Sequence, residues 1–195
     1  MDLQRHKGTS GVNSISETIF FLIKVLNGNL KTWSVLDVGC GKGVYGYILK
    51  SYLSKLHMYG VDVEIPKSYS TILNLVYDKI YESSITDFKF EMEYDVVLLN
   101  HVIEHLPFKE AIEVIKTCKE HSKNIIIGLP KGYKNWEYKD LGKKDCFHSH
   151  KWGVSSFPSK ELGFMELNSK YTFNKIFTWS KEPIIVNSTT EAHLF

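Results

Sequence analysis

Gly41-Lys-Gly-Val-Tyr-Gly46 satisfies the GxGxxG spacing of a nucleotide-binding turn. Asp62 follows about twenty residues on, where a ribose-binding carboxylate belongs. A dinucleotide-dependent oxidoreductase is therefore one reading. Asp37, at the mouth of the turn in Leu36-Asp-Val-Gly-Cys-Gly-Lys-Gly43, argues against it. A carboxylate there repels a pyrophosphate seeking the N-terminus of the next helix, and favours a ligand carrying positive charge at that end. A second set of reactive side chains is His101, Glu104 and His105, spaced i, i+3, i+4, which a helix would place on one face. His148 and His150 lie further along the chain. Imidazoles beside a carboxylate can move a proton from a nucleophile or hold a divalent metal.

The elements that must position these residues read as alternating strands and helices. Ser14-Ile-Ser-Glu17 is a capping-box pattern, and Ile15, Ile19, Leu22, Ile23 and Leu26 follow on one helical face until Gly28 and Asn29. Strands are expected at Val35–Val38, Met58–Asp62, weakly at Lys79–Glu82, at Tyr94–Leu99 and at Asn124–Gly128. Helices are expected from Val44 to about Leu53, within Pro66–Tyr77, and from Pro107 to about Glu120. Phe164–Leu167 and Tyr171–Trp179 read as closing strands. This alternation predicts an α/β fold with a parallel sheet. The stretch 131–157 breaks the rhythm, being rich in aromatics, lysines and histidines, as long functional loops are.

The 195 residues suit one domain, with roughly 70% of the unfolded surface available for burial. Twenty-four basic against twenty-two acidic side chains leave a formal charge of +2, too even for a protein that coats polyanions. Cys40, Cys118 and Cys146 form no CxxC pair, so neither a zinc ribbon nor a disulfide framework is expected. Met1 to Gly11 is polar, without the apolar stretch of a secretion signal, and Ile19–Leu26 is too short to span a bilayer. A soluble, reducing, cytoplasmic setting is the expectation.

S-adenosylmethionine meets the demand set by Asp37, because it carries an ammonium and a sulfonium and no phosphate. Val35-Leu-Asp-Val-Gly-Cys-Gly-Lys-Gly43 resembles the first motif of class I S-adenosylmethionine-dependent methyltransferases, and Gly60-Val-Asp62 the second. Tyr94-Asp-Val-Val-Leu-Leu-Asn-His-Val-Ile-Glu-His-Leu106 is similar to the family's fourth-strand region, and Asn124-Ile-Ile-Ile-Gly-Leu-Pro130 to its fifth strand. The likeness runs from about Val35 to Gly163, with the motifs in order.

The resemblance implies a Rossmann-like methyltransferase fold: a mostly parallel central sheet, helices on both faces, and a C-terminal antiparallel hairpin strand. It implies one domain over 1–195, with an N-terminal lid helix in 1–30, a cofactor-binding core in 35–130, a substrate-side loop in 131–157 and closing strands in 164–187. Around the cofactor it places Asp37, Gly39, Cys40, Gly41, Gly43, Asp62, Val63, Ser84, Ile85 and Asn100. Asp37 would orient the amino-acid end, Asp62 would take the ribose hydroxyls, and Ser84 stands where the family usually carries an acid near adenine. Tyr133, Trp136, His148 and Trp152 are expected to line the acceptor pocket, with His105, His150 and His101 as candidate proton acceptors. Glu104, His105 and His150 are candidate metal ligands, with no metal assigned.

The place after the fourth strand lacks the Asn/Asp-Pro-Pro-Tyr motif of DNA amino-methyltransferases, and the double-glutamate loop of arginine methyltransferases is missing. Asn100-His-Val-Ile-Glu-His-Leu106, with Cys146-Phe-His-Ser-His-Lys-Trp152, resembles methyltransferases of small metabolites. It is also similar to ubiquinone-pathway O-methyltransferases and to small-RNA terminal 2′-O-methyltransferases. The expectation is methyl transfer to an oxygen or nitrogen of a small-molecule acceptor. Metal-dependent RNA 2′-O-methylation, a non-catalytic binding module and a nicotinamide-dependent dehydrogenase are the alternatives. Neither the acceptor nor the oligomeric state follows from the sequence.

Overall fold

The computed structural model describes residues 15–20, 22, 32–65, 67–130, 154–167 and 174–182. Its sheet has seven strands: β1 (Ser34–Val38), β2 (His57–Asp62), β3 (Lys79–Glu82), β4 (Tyr94–Asn100), β5 (Ser122–Pro130), β6 (Met165–Leu167) and β7 (Asn174–Ser180). They lie in the order β3-β2-β1-β4-β5-β7-β6. The first five are parallel, and β7 is antiparallel to both β5 and β6. This is the expected mostly parallel sheet with its antiparallel closing hairpin.

Strands buried on both sides need apolar residues at successive positions, and β1 and β4 supply them. Alternation sorts their side chains between two cores. Leu36, Val38, Val97 and Leu99 join one cluster with Ala111, Val114, Ile115 and Cys118 of α4 (Phe108–Glu120). Val35, Val96 and Leu98 join the other. That second cluster includes Ile15 of α1 (Ile15–Phe20), Tyr45 and Leu49 of α2 (Val44–Tyr52), and Leu73 and Val76 of α3 (Ser70–Val76). The stripe in α4 has the i, i+3, i+4, i+7 spacing of one helical face, and burial pushes the Cys118 thiol up to about 12, so it packs as a neutral group.

The chain moves from β1 outward to β2 and β3, then returns to β4 and moves the other way to β5. The carboxyl ends of β1 and β4 therefore flank the topological switch point, where open α/β sheets bind ligands. At the opposite end, Asp95 Oδ2 accepts hydrogen bonds from the Ser34 N–H at 2.9 Å and hydroxyl at 3.1 Å, while Lys123 donates to Oδ1 at 2.8 Å. These bonds fix the register of β1 against β4. No helix among the described residues is long and apolar enough to cross a membrane.

One detail differs from the sequence reading. The expected helix through residues 101–105 does not form: His101 takes a left-handed φ of 56°, and Ile103–His105 is one 3₁₀ turn. Pro107 removes a backbone donor and pushes Leu106 to an extended ψ of 150°, so a helix cannot run from 101 into α4. Phe157, in the expected substrate-side loop, is buried against Phe164 and Phe177 with ring centroids 5.6 and 4.7 Å away, and thus pins its segment to the core.

Candidate active site

The glycine turn links β1 to α2 through three left-handed glycines, with φ of 72°, 50° and 76° at Gly39, Gly41 and Gly43. At two of them the space is already taken. A Cβ on Gly39 would meet Val102 Cγ2 at 2.7 Å, and one on Gly43 would meet Leu73 Cδ2 at 2.6 Å. Gly41 is different: its nearest neighbours would be Gly39 O at 3.9 Å and Asp62 Oδ2 at 4.0 Å. Backbone conformation demands glycine there, and the space over it is open for close approach by a ligand.

Asp62, at the end of β2, faces this turn. Its Oδ2 accepts the Gly41 N–H at 2.8 Å, and its Oδ1 accepts the Glu64 N–H at 3.2 Å. Its own carbonyl accepts the Ser83 N–H at 2.8 Å, bringing the exit of β3 alongside. Val63 is 70% exposed, a large apolar residue beside the carboxylate. Ile85 is buried at the β3 exit, and the Ser84 hydroxyl is turned to Thr86 Oγ1 at 2.8 Å. Cys40 is buried beneath the turn, where desolvation, with the nearby Asp37 and Asp62 carboxylates, pushes its thiol far above the usual range. That thiol is a packing group, and a Cβ on Gly60 would meet its sulfur at 2.9 Å.

Asp37 is 3% exposed, and its Oδ2 accepts a hydrogen bond from the Tyr77 phenol at 2.6 Å. Burial pushes the carboxyl up to about 7; the Tyr77 bond opposes the rise and the Asp62 charge adds to it. Tyr77, just past α3, is a site residue that sequence reasoning missed. The only sequence signal for it is indirect, in the small residues Gly46 and Gly60 that leave room for its ring.

On the other side of the switch point, β4 ends in a group of polar atoms with no partner. Asn100 Oδ1 and Nδ2, His101 Nε2 and Glu104 Oε2 are all buried and make no hydrogen bond among the described residues. Such groups are costly unless something satisfies them. His101 Nδ1 lies 3.3 Å from Glu104 Oε1, and His105 Nε2 lies 4.0 Å from the same oxygen. The left-handed turn at His101, held by its N–H donating to Gly128 O at 3.0 Å, thus brings together the three residues that a helix was expected to align. Gly128 leaves room for this side chain: a Cβ there would lie 2.4 Å from Asn100 Oδ1. Among the described residues no group of three His, Cys, Asp or Glu is arranged to hold a metal ion. The expected Tyr133, Trp136, His148, His150 and Trp152 lie outside the described residues.

The family model for a methyltransferase domain matches residues 14–141, and the chain belongs to that family. No curated protein matches the sequence. The fold is similar to that of magnesium protoporphyrin IX methyltransferase from Synechocystis, crystallised with S-adenosylmethionine: TM-score 0.59, 16% identity, 85% of this chain and 76% of that one. It is similar to the methyltransferase domain of a bacterial Hen1, with TM-score 0.62, 18% identity and coverage of 86% and 96%. An O-methyltransferase family protein from Burkholderia thailandensis aligns at TM-score 0.60 and 15% identity, over 86% of this chain and 57% of that one. The protein is an S-adenosylmethionine-dependent methyltransferase. Its residues fit that cofactor: the space over Gly41 is open, carboxylates stand at the ends of β1 and β2, and unpartnered polar atoms close the end of β4.

Proposed function

We propose that this enzyme methylates an oxygen or nitrogen nucleophile of a small-molecule acceptor bound at the carboxyl end of β4. The observation that carries this reading is the cluster of buried, unpartnered polar atoms on Asn100, His101 and Glu104 beside the glycine turn. When bound, S-adenosylmethionine supplies a methyl carbon activated by a sulfonium. In-line displacement at such a carbon depends mainly on alignment, so the protein's task is to bind, orient and exclude water.

Asp37 accepts the cationic amino group, Asp62 accepts the ribose hydroxyls, and the glycine backbone admits the amino-acid chain. Cys40 packs beneath the turn as part of that floor. Val63 and Ile85 flank the base, with Ser84 beside it, and Asn100 closes the site under the reacting centre. His105, with His101 and His150, removes the proton of the acceptor, and Glu104 orients the imidazoles. Tyr133, Trp136, His148 and Trp152 wall the acceptor. The single domain carries its lid in 1–30, its cofactor core in 35–130, its substrate loop in 131–157 and its closing strands in 164–187. Free, buried Cys40 and Cys118 suit a cytoplasmic setting.

A net charge of +2 favours a small acceptor over RNA, since an RNA-binding surface needs clustered basic residues. The test is S-adenosylhomocysteine release with panels of phenols, carboxylic acids, amines and short RNAs. Turnover on a small acceptor, abolished in His105→Ala, is the expected result. Methylation confined to RNA ends would overturn the small-molecule assignment.

A further inference from the structure

We propose that Tyr77 is a positioning residue of the cofactor site, whose phenol keeps the Asp37 carboxylate charged and aimed at the cofactor's amino group. The inference rests on the role given to Asp37 above. Asp37 projects from β1 toward the face covered by α2 and α3 and is buried there, where a lone carboxylate takes up a proton. Three titratable groups stand near it, of which Tyr77 and Asp62 act on its charge. The Tyr77 phenol arrives from the end of α3 and donates at 2.6 Å, the Cys40 thiol lies in the turn, and the Asp62 carboxylate stands at the end of β2. From the remaining neighbours, β4 offers apolar Leu98 at the matching register, and on α2 and α1 the hydroxyls of Tyr45 and Thr18 bond to each other. Among the described residues, the phenol is thus the one group whose hydrogen bond favours the charged form.

The surrounding glycines show that the phenol's path is built into the fold. A Cβ on Gly46 would meet the Tyr77 hydroxyl oxygen at 2.4 Å. On Gly60 it would meet Cδ1 at 3.3 Å, and on Gly43 Cε2 at 3.2 Å. Three separate segments, the turn, α2 and β2, therefore leave a slot along the whole ring. The Gly46 N–H, in the first turn of α2, faces the phenol oxygen and acts to stabilise negative charge on it. Burial and the Asp37 charge hold the Tyr77 hydroxyl well above the usual tyrosine range, so it remains a donor wherever the enzyme works. A ring that only filled space would need no hydroxyl, and Phe would serve equally.

Tyr77→Phe removes the oxygen and keeps the ring. Two readings apply to it: the carbon-13 carboxyl shift of Asp37 titrated in ligand-free protein, and S-adenosylhomocysteine affinity by calorimetry across pH. The variant is expected to raise the Asp37 midpoint by about one unit or more, and to weaken binding about tenfold at neutral pH with partial recovery above pH ~8. An unmoved midpoint, or a loss of affinity equal at every pH, would overturn the inference. Should the variant not fold, the unmodified enzyme still decides: its affinity must rise as pH increases through the Asp37 midpoint, and a flat profile overturns the inference. An enzyme that binds no S-adenosylhomocysteine overturns the cofactor site along with it. Binding that persists while the Asp37 midpoint ignores Tyr77→Phe overturns the inference alone.

Discussion

Asp62 Oδ2 accepts a hydrogen bond from the Gly41 N–H at 2.8 Å, joining the end of β2 to the middle of the glycine turn. One carboxylate thereby shapes the turn and presents its remaining acceptor capacity toward the space above Gly41. Both halves of the cofactor site are set before any ligand arrives, which lowers the ordering cost of binding.

The glycines of the turn should separate by substitution. Gly43→Ala forces a methyl group onto Leu73 at a φ of 76°, and is expected to cost about 2–4 kcal/mol of stability. Gly41→Ala meets open space, so its stability cost is limited to about 1–2 kcal/mol of left-handed strain. Its affinity for S-adenosylhomocysteine should nevertheless fall by about tenfold or more, because the methyl occupies the approach to the backbone. Thermal melts paired with calorimetry check both variants.

Asp37 imposes a pH-dependent cost on the fold. Its carboxyl sits at about 7 in the native protein against 3.8 for the free group. A raised carboxyl favours the native state while protonated, so this contribution is full below about pH 4 and is lost as pH rises through about 7. Asp37→Asn should therefore be more stable than the parent at pH ~8, by up to about 4 kcal/mol, with the gap closing toward pH ~4. The same variant should bind S-adenosylhomocysteine poorly at every pH. Denaturant unfolding of the two proteins at both ends of that range measures the gap.

His101 holds a left-handed φ of 56°, a conformation asparagine tolerates better than most residues. His101→Asn should keep stability within about 0.5 kcal/mol of the parent, or raise it. Turnover on an identified acceptor should drop by about 100-fold, the scale of a lost proton acceptor. Urea unfolding and steady-state rates on the same preparation check the pair. A variant with full turnover removes His101 from the chemistry.

Much of the fold was legible because its signals are local. The apolar runs at Val35–Val38 and Tyr94–Leu99, the glycine turn and Pro107 each announce one element, and β3 falls where the weak pattern at Lys79–Glu82 placed it. The short turn at 101–105 was not, because its three-residue spacing suits a helix and only tertiary contacts impose a left-handed residue. His101 turns there because its N–H must reach Gly128 on the neighbouring strand, a pairing no local pattern encodes. Tyr77 was hidden for a similar reason. It lies 40 residues from Asp37 in the chain, and only the packing of α3 over β1 and β2 brings the phenol to the carboxylate.

The most direct measurement is calorimetric titration of S-adenosylhomocysteine into the parent protein and Asp62→Ala. The parent should bind one molecule per chain, and the variant should lose about 10–100-fold in affinity while retaining its fold, the scale of hydrogen bonds to a charged group. No heat with the parent, or unchanged affinity in Asp62→Ala, would contradict a cofactor site at the carboxyl ends of β1, β2 and β4.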